Sequence, residues 1–293
     1  MEASDLLGRC RFPPPGSELT CAVSGGADSL ALLALAVEAG CRVTAVHVDH
    51  QLRPGSAAEA EAVAEAARRL GAGFRSVSVR VAPGPNLQAR ARQARWSVLP
   101  ADAATGHTAD DQAETVLINL MRGAGSPGLA GMRPGPRHPI LALRRAETRQ
   151  LCAERGLPAV EDPTNSDRRF LRSRVRHELV PLLSQLAGRD VVPVLARQAE
   201  LLREESDLLD ALAAALDPAD ARRLSAAPPA LARRALRSWI RALGPHPPPA
   251  ASVERALEVA RGRARAAELG GGSRVRRSAG RLFLEPPPAA RRG

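Results

Sequence analysis

Short apolar runs and longer amphipathic stretches alternate along the chain between residues 19 and 121. Runs with β-branched or alternating apolar residues predict strands, and apolar residues at helical spacing predict helices. The predicted strands are Leu19–Val23, Arg42–Val48, Phe74–Val81 and Ala103–Thr105. The predicted helices are Asp28–Ala39, Ala57–Leu70, Asn86–Val98 and Thr108–Met121. Repeated strand–helix units predict an α/β fold with a parallel sheet, whose ligands bind at the carboxyl ends of the strands.

The pattern becomes mainly helical beyond Pro163. The predicted helices here are Leu171–Leu186, Val192–Leu216, Pro229–Leu243 and Ser252–Leu269. The segment from Ser273 to Leu284 predicts a β-hairpin that turns at residues 278–280. We therefore expect an α/β domain over residues 1–165, followed by a smaller, mainly α-helical domain with a terminal β-hairpin over residues 166–293.

A glycine-rich run, SGGADS, lies between the first predicted strand and the first predicted helix. Backbone N–H groups and the positive end of the helix dipole meet at such a turn, and adjacent glycines let the backbone approach a phosphate closely. The candidate phosphate contacts are Ser24, Gly25, Gly26, Ala27, Asp28 and Ser29. A Walker loop is excluded because the chain contains no lysine. An ordinary glycine-rich turn is the alternative.

A second chemical run, GHTADDQAET, opens the helix that follows the fourth predicted strand. His107, Asp110, Asp111 and Glu114 recur at helical spacing and share one face. Such a face suits Mg²⁺, or an amine that must be gripped and deprotonated. An acidic helix start that is simply solvated is the alternative.

The second predicted strand ends in His47-Val-Asp49-His50. His47 and Asp49 share one face of the strand and His50 does not, so a tetrahedral zinc site is disfavoured. Asp49 is instead a candidate contact for a nucleotide or a metal, because it lies at the carboxyl end of the strand.

The charge balance is strongly basic. Lys and Arg together number 42 against 31 Asp and Glu, a net charge of +11, and all of these cations are arginine. Such a surplus favours a polyanionic partner, and nucleic acid is the obvious candidate. Arg92 lies in one predicted basic helix, and five arginines crowd into residues 168–176. Solvated basic helices are the alternative.

Cysteine usage and hydropathy bear on location. Cys10, Cys21, Cys41 and Cys152 form no C-x-x-C pair, which fits a reduced compartment. The longest apolar run, Leu30–Val37, is too short to span a bilayer. We expect a cytoplasmic protein with no membrane partner. The sequence leaves the oligomeric state open, with a homodimer as one alternative.

Taken together, the motifs resemble the PP-loop (N-type ATP pyrophosphatase) superfamily, and within it the tRNA(Ile)-lysidine synthase family. The resemblance rests on SGGADS (24–29), HVDHQLR (47–53), GHTADDQAETVL (106–117), Arg122-Gly123 and DPTNSDRRFLRSRVR (162–176), together with residues 86–92. It implies a PP-loop nucleotide-binding domain that uses ATP and Mg²⁺. It further implies that the mainly helical second domain is a basic tRNA-binding domain, and the helical tail and terminal strand pair resemble the short form of the family.

The resemblance also implies a reaction. ATP adenylates the C2 carbonyl oxygen of the wobble cytidine in the CAU anticodon of tRNA(Ile), releasing pyrophosphate, and the amine of free L-lysine then displaces AMP from C2. The resulting lysidine reads AUA instead of AUG.

The same resemblance implies roles for individual residues. Residues 24–29 would hold the leaving phosphates. Asp28, Asp49, His107, Asp111 and Glu114 would carry the chemistry, and Asp110 is the candidate Mg²⁺ ligand. The implied substrate and tRNA contacts are Arg92, Arg122, Arg168, Arg172 and Arg176.

Three positions depart from the family pattern: Gln88 stands where Glu is usual, Ser173 where Asn is usual, and His138 where Arg is usual. The rival enzymes are a PP-loop tRNA thiolase and an amide- or nucleotide-forming synthetase of the same superfamily. A non-catalytic tRNA-binding protein is the alternative from a different class.

Overall fold

The computed structural model describes residues 3–49, 56–80, 87–160, 167–243 and 247–286. The chain divides into two compact units, Met1–Leu201 and Leu202–Gly293. The boundary predicted after residue 165 does not coincide with this division. Residues 167–201 belong to the first unit because Arg172 and Arg176 pair there with Asp111 and Glu114.

A four-stranded parallel sheet forms the centre of the first unit, in the order β3-β2-β1-β4. Its strands confirm the predicted α/β class, and their bounds are β1 Glu18–Ala22, β2 Arg42–Asp49, β3 Gly73–Ser78 and β4 Ala104–Thr105. Because β1 lies between β2 and β4, the turn after β1 is flanked by the carboxyl ends of both neighbours. Ligands of open α/β sheets bind at such a place.

Helices connect these strands and follow them along the chain, and the last helix of the series continues past residue 201 into the second unit. Their bounds are α1 Ala3–Leu7, α2 Ala27–Glu38, α3 Ser56–Leu70, α4 Leu87–Val98, α5 Ala109–Met121, α6 Ser126–Leu129, α7 Arg145–Glu154, α8 Leu171–Arg174, α9 Val180–Ala187 and α10 Val192–Ala214. A π-helical turn, Val175–Leu179, joins α8 to α9. The four helices predicted between residues 28 and 121 are confirmed within one or two residues at each end, whereas α7 was not predicted.

Helix α2 forms the middle of the hydrophobic core. Leu30, Leu32, Leu33 and Leu35 are almost completely buried, so the helix is apolar on several faces and is covered on all of them. The four cysteines are also buried, as free thiols. Burial raises the pKa of Cys10 and of Cys21 to about 12 and that of Cys152 to about 11. These thiols therefore pack as small apolar groups and carry no thiolate at neutral pH.

The second unit combines helices with a small antiparallel sheet. Its helices are α11 Ala221–Ala226, α12 Pro229–Arg241 and α13 Ala250–Ala260, and its strands β5 Ala266–Gly270, β6 Ser273–Ser278 and β7 Arg281–Glu285 pair in chain order. The predicted hairpin is confirmed. The prediction of helix up to Leu269 is wrong beyond Ala260, because Gly262 has a φ of +78° and ends the helix before β5.

Within the described residues, no single helix is long and apolar enough to cross a membrane. One pair bent by 96°, Leu171–Ala187 with Val192–Ala214, meets the length and composition requirement only when both parts are taken together.

Candidate active site

The SGGADS turn folds as a phosphate-binding loop would. Gly25 has a φ of +90°, a conformation that favours glycine. The loop closes on itself, since Ser29 Oγ donates to the Gly26 carbonyl at 2.8 Å and accepts from the Ser24 N–H at 3.2 Å. Gly26 is the N-cap of α2 and supplies no side-chain cap. The first N–H groups of α2 are therefore suited to an anion at this end of the helix.

Gly106 lets the β4–α5 connection lie directly against this loop. A Cβ atom at position 106 would lie 2.6 Å from the Asp28 carbonyl oxygen and 2.9 Å from the Ser29 nitrogen. Both of these are backbone atoms, which cannot rotate away. Glycine at 106 thus brings the second chemical run, which starts at His107, into contact with the phosphate loop.

Asp28 is held by two residues of α7. It accepts hydrogen bonds from the Thr148 hydroxyl and, at 3.4 Å, from Nε of Arg145. Burial raises the pKa of Asp28 and the nearby Asp111 raises it further, while the bonds from Thr148 and Arg145 oppose that rise. Because burial disfavours the ionised form of this carboxylate, a nearby cation would stabilise it.

Asp111 and Glu114 form a buried acid pair on α5, with only 7% and 1% of their surface exposed. Nη2 of Arg145 lies 3.1 Å from Oδ1 of Asp111 and 3.2 Å from Oε1 of Glu114. Two arginines from beyond residue 167 join them: Nε of Arg172 lies 2.8 Å from Oε2 of Glu114, and Nε of Arg176 lies 2.6 Å from Oε1. Three guanidinium groups thus surround two carboxylates.

The protonation state of Asp111 follows from these contacts. Burial acts to raise its pKa, but the charges of Arg145 and Arg172 outweigh burial, helped by His107 and by the N–H of Thr108. The resulting pKa is about 2. Asp111 is therefore fully ionised at neutral pH and can receive a cation.

Asp110 has different partners from its neighbour. Arg144 donates to both of its oxygens, at 3.1 and 3.2 Å, and the Arg145 N–H donates at 2.8 Å. Burial acts to raise the pKa of Asp110, but these bonds lower it overall. No group of three or more His, Cys, Asp or Glu side chains within the described residues is arranged to hold a metal ion.

Two histidines meet at the carboxyl end of β4. Oγ1 of Thr105 lies 2.7 Å from Nδ1 of His107 and 2.8 Å from Nδ1 of His138, and the two rings are 5.0 Å apart and almost perpendicular. Burial lowers the pKa of His107 to about 4, although Asp111 opposes this change. Burial and the charges of Arg137 and Arg92 lower the pKa of His138. Both rings are neutral at pH 7.

The remaining predicted residues divide between the site and its surroundings. Arg92 lies near Arg172 and Arg137, because burial and then the charges of these two residues lower its pKa. Arg168 is exposed and lies 4.0 Å from Glu178. Arg122 is the C-cap of α5, about 16 Å along the helix from Asp111 at 1.5 Å per residue.

The motif at the end of β2 is only partly described. Asp49 is its last residue, and its carbonyl accepts from the Val79 N–H at 2.8 Å. His47 is buried, with Nδ1 3.0 Å from the Val23 carbonyl oxygen, which is a packing role. His50–Arg53, Asp162–Ser166 and the side chain of Gln88 lie outside the described residues.

Three residues of the site were missed from the sequence: Arg144, Arg145 and Thr148. They open α7, whose start has a recognisable signal, since Glu147 accepts from the Arg144 N–H at 2.7 Å. A glutamate three residues into a segment is typical of a helix N-terminus. That spacing could have predicted the helix, but not the acids that its arginines contact.

The first unit is thus a parallel α/β domain with a phosphate-binding loop and a buried acid pair beside it. This arrangement defines a nucleotide-binding domain. The PP-loop domain family matches residues 5–183, and the TilS substrate binding domain matches residues 220–283.

Comparison with curated relatives identifies the family within the PP-loop proteins. A tRNA(Ile)-lysidine synthase of Nocardia farcinica is 46% identical over 245 residues, covering 78% of this chain and 77% of the relative. The corresponding synthase of Mycolicibacterium paratuberculosis is 47% identical over 238 residues, covering 76% and 74%. The chain belongs to the tRNA(Ile)-lysidine synthase family of PP-loop proteins.

A solved structure shows the same fold at low identity. The U34-tRNA thiolase NcsA from Methanococcus maripaludis, with its [4Fe-4S] cluster, superposes with a TM-score of 0.54 at 18% identity. The match covers 69% of this chain and 78% of the thiolase. It therefore supports the fold and carries no statement about chemistry.

Proposed function

We propose that this protein ligates L-lysine to C2 of the wobble cytidine in the CAU anticodon of tRNA(Ile), at the expense of ATP. The observation that carries the proposal is the buried pair Asp111 and Glu114 beside the phosphate loop. Lysine is a cation at neutral pH because its amine has a pKa of about 10.4, so a synthase needs carboxylates to attract it and to take its proton. Since tRNA is the substrate, we expect the reaction to occur in the cytoplasm.

The phosphate loop supports the first step. N–H groups at the start of α2, together with residues 24–29, would hold the β- and γ-phosphates while the cytidine oxygen attacks the α-phosphate and pyrophosphate leaves. Arg145 contacts both Asp28 and Asp111. Its positive charge would therefore stabilise the negative charge that develops on the leaving pyrophosphate.

Mg²⁺ fits Asp28 better than Asp110. The ion binds through one or two carboxylates together with substrate phosphates, and the desolvated Asp28 is part of the phosphate loop. Asp110 is instead engaged by Arg144 and Arg145. Bound there, Mg²⁺ would neutralise phosphate charge.

The acid pair supports the second step. Asp111 and Glu114 already hold three cationic side chains, which demonstrates that their oxygens can accept several N–H donors. The lysine ammonium would take over part of these acceptor positions, and a carboxylate would receive the proton as the amine attacks C2 and AMP leaves. The released guanidinium groups would then be available to phosphates of the tRNA or of AMP.

A thiolase reaction is disfavoured by the state of the cysteines. Sulfur transfer needs thiolates or a thiolate-bound cluster, whereas three of the four thiols have pKa values raised to about 11 or 12 and the fourth, Cys41, is raised as well. A non-catalytic tRNA-binding protein would not need the buried acid pair.

Product analysis tests the proposal. ATP, Mg²⁺, L-lysine and a CAU-anticodon tRNA should together yield AMP, pyrophosphate and a cytidine that carries lysine, detected by mass spectrometry of the digested tRNA. Asp28→Ala should abolish pyrophosphate release and leave tRNA binding within about twofold, because Asp28 acts at the phosphates and not on the tRNA. Formation of ADP, or turnover that is indifferent to lysine, would refute the synthase function.

A further inference from the structure

The hydroxyl group of Thr105 can donate one hydrogen bond and accept two, and it has three partners, so each of these positions is used. The partners are Nδ1 of His107 at 2.7 Å, Nδ1 of His138 at 2.8 Å and the carbonyl oxygen of Arg137 at 3.1 Å. A carbonyl can only accept, so the single hydroxyl proton goes to Arg137. Both lone pairs of the hydroxyl are then left for the two rings, and both Nδ1 atoms must donate.

This proton count determines the state of both rings. A neutral imidazole carries one N–H, so a ring that donates through Nδ1 has an unprotonated Nε2 atom. The rings are neutral at pH 7 because burial, followed by nearby charges, lowers both pKa values. The charged and titratable groups that act on His107 are Asp111, His138, Arg172 and Arg92, and those that act on His138 are Arg137 and Arg92. The end of β4 thus offers two nitrogen acceptors.

The charges around the two Nε2 atoms determine which kind of ligand group can donate a hydrogen bond to them. Arg92, Arg137 and Arg172 place positive charge around the two rings, so an ammonium donor is disfavoured there. Arg137 also stacks on Trp96, with Cζ 5.0 Å from the ring centroid, which keeps its charge at the site. A neutral N–H donor on a molecule that carries phosphates fits this environment. Among nucleobases, cytosine offers its exocyclic amino group, whereas uracil has a carbonyl acceptor in that place.

We propose that Thr105 is a positioning residue that holds His107 and His138 as their Nδ1–H tautomers, and that the Nε2 acceptors of the two rings recognise the exocyclic amino group of the target cytosine. The identity of the base rests on the proposed function, whereas the tautomers do not. The pair therefore distinguishes cytosine from uracil at the modified position. The amino group of adenine, supplied by ATP, is the other source of the same chemistry.

The tautomers can be measured on the free protein. Nitrogen-15 NMR of histidine-labelled protein at pH 7 should show unprotonated Nε2 and protonated Nδ1 for His107 and His138, assigned with His107→Gln and His138→Gln. The exposed His177, outside the site, serves as the control through His177→Gln. Thr105→Val should convert the two rings to tautomer mixtures, and Thr105→Ser should preserve the Nδ1–H form. An Nε2–H tautomer in either wild-type ring would overturn the proposal.

Recognition is measured with stem-loop RNAs that carry CAU or UAU in the loop. Wild-type protein should bind the CAU loop about tenfold to 100-fold more tightly. Thr105→Val and His138→Gln should bring the ratio of the two dissociation constants close to one, while Thr105→Ser and His177→Gln leave it unchanged. Circular dichroism checks that each variant is folded. An unchanged ratio in both Thr105→Val and His138→Gln would overturn the cytosine assignment.

Two further comparisons distinguish adenine from cytosine as the bound base, and failure of the cytosine assignment from failure of the proposed function. If the adenine amino group were the ligand, Thr105→Val would weaken binding of ATP more than that of GTP and leave the CAU-to-UAU ratio intact, which also overturns the assignment. Failure of the proposed function would look different, because no lysine would reach the tRNA although the preference for the CAU loop and the NMR tautomers were as stated.

Discussion

Nε of Arg176 lies 2.6 Å from Oε1 of Glu114, a contact that joins residues 62 positions apart. The Glu114 side chain is 2% exposed and the Arg176 side chain 23% exposed. Because a buried charge is costly unless it is paired, the contacts of Glu114 with Arg145, Arg172 and Arg176 offset the cost of burying its carboxylate. The contact also ties the segment beyond residue 167 to the nucleotide-binding domain.

Glu114→Gln should therefore affect both stability and chemistry. Loss of the charge leaves three guanidinium groups with too few acceptors, and the free energy of unfolding should fall by about 3–5 kcal/mol in denaturant titrations. Lysine transfer should fall at least about 100-fold, while pyrophosphate release falls less, because in the proposed reaction only the second step needs an acceptor for the lysine ammonium. Glu178→Gln is the matched control: Glu178 pairs with Arg168 and Arg174 at the surface, and its loss should cost below about 1 kcal/mol. Equal losses in both variants would contradict the role of the buried pair.

Gly106→Ala should damage the phosphate loop without a change in charge. The added methyl group would meet backbone atoms of Asp28 and Ser29 below 3.0 Å, so the loop or the β4–α5 connection has to move. Binding of ATP, measured by calorimetry, should weaken at least about tenfold, since a displacement near 1 Å at a positioned phosphate is costly. Gly8→Ala is the control, because its nearest neighbour would lie 3.7 Å away. Unchanged ATP affinity in Gly106→Ala would show that the close approach is irrelevant to the loop.

Thr148→Val should shift a pH profile. The Thr148 hydroxyl stabilises ionised Asp28, so its removal raises the pKa of Asp28 further. The acid limb of the rate of pyrophosphate release should then move to higher pH. Thr148→Ser retains a hydroxyl and should retain the wild-type profile. A limb that stays in place in Thr148→Val would mean that ionised Asp28 does not limit this step.

His107 should make stability depend on pH. Its pKa in the folded protein is about 4, against an ordinary value of 6.5, so the unfolded chain binds the proton more readily. Its contribution is fully present above pH 6.5 and is lost as pH falls from 6.5 towards 4, by up to about 3 kcal/mol. Asp111 adds a separate loss below pH 3.8, because its pKa in the folded protein is about 2. Denaturant titrations of His107→Gln should show a clearly smaller loss in this range, with the remainder due to His138, whose pKa is also lowered, whereas His177→Gln should keep the full loss.

Arg168 tests the contribution of exposed arginines to tRNA binding. Its side chain is 76% exposed and only weakly paired with Glu178. If it neutralises one phosphate, Arg168→Ala should reduce the slope of log Kd against log salt by about one. Arg42→Ala is the control, since Arg42 is 71% exposed but begins β2, at the amino end of the strand. Identical salt slopes for wild type and Arg168→Ala would remove Arg168 from the interface.

Local motifs were predictable because their chemistry and their geometry lie within a few consecutive residues. The strand–turn–helix of residues 18–38 and the acid helix from Ala109 follow from glycine, capping and apolar periodicity. The helix assigned up to Leu269 failed because the alanine- and arginine-rich segment after Gly262 suits a helix locally, whereas pairing with β6 makes it a strand. Helix α7 was missed although Glu147 marks its start.

The sequence alone therefore determined the class of fold, the phosphate loop and the acids of α5, since each depends on neighbours along the chain. Only the tertiary structure decided which arginines meet those acids. Arg145 reaches Asp28 across 117 positions, and Arg172 reaches Asp111 across 61. With 42 arginines available, neither spacing nor charge selects these partners. The partners are selected by packing, because α7 and α8 lie against the buried carboxylates of Asp111 and Glu114. Buried charges need opposite charges in direct contact, and the arginines of these two helices supply them.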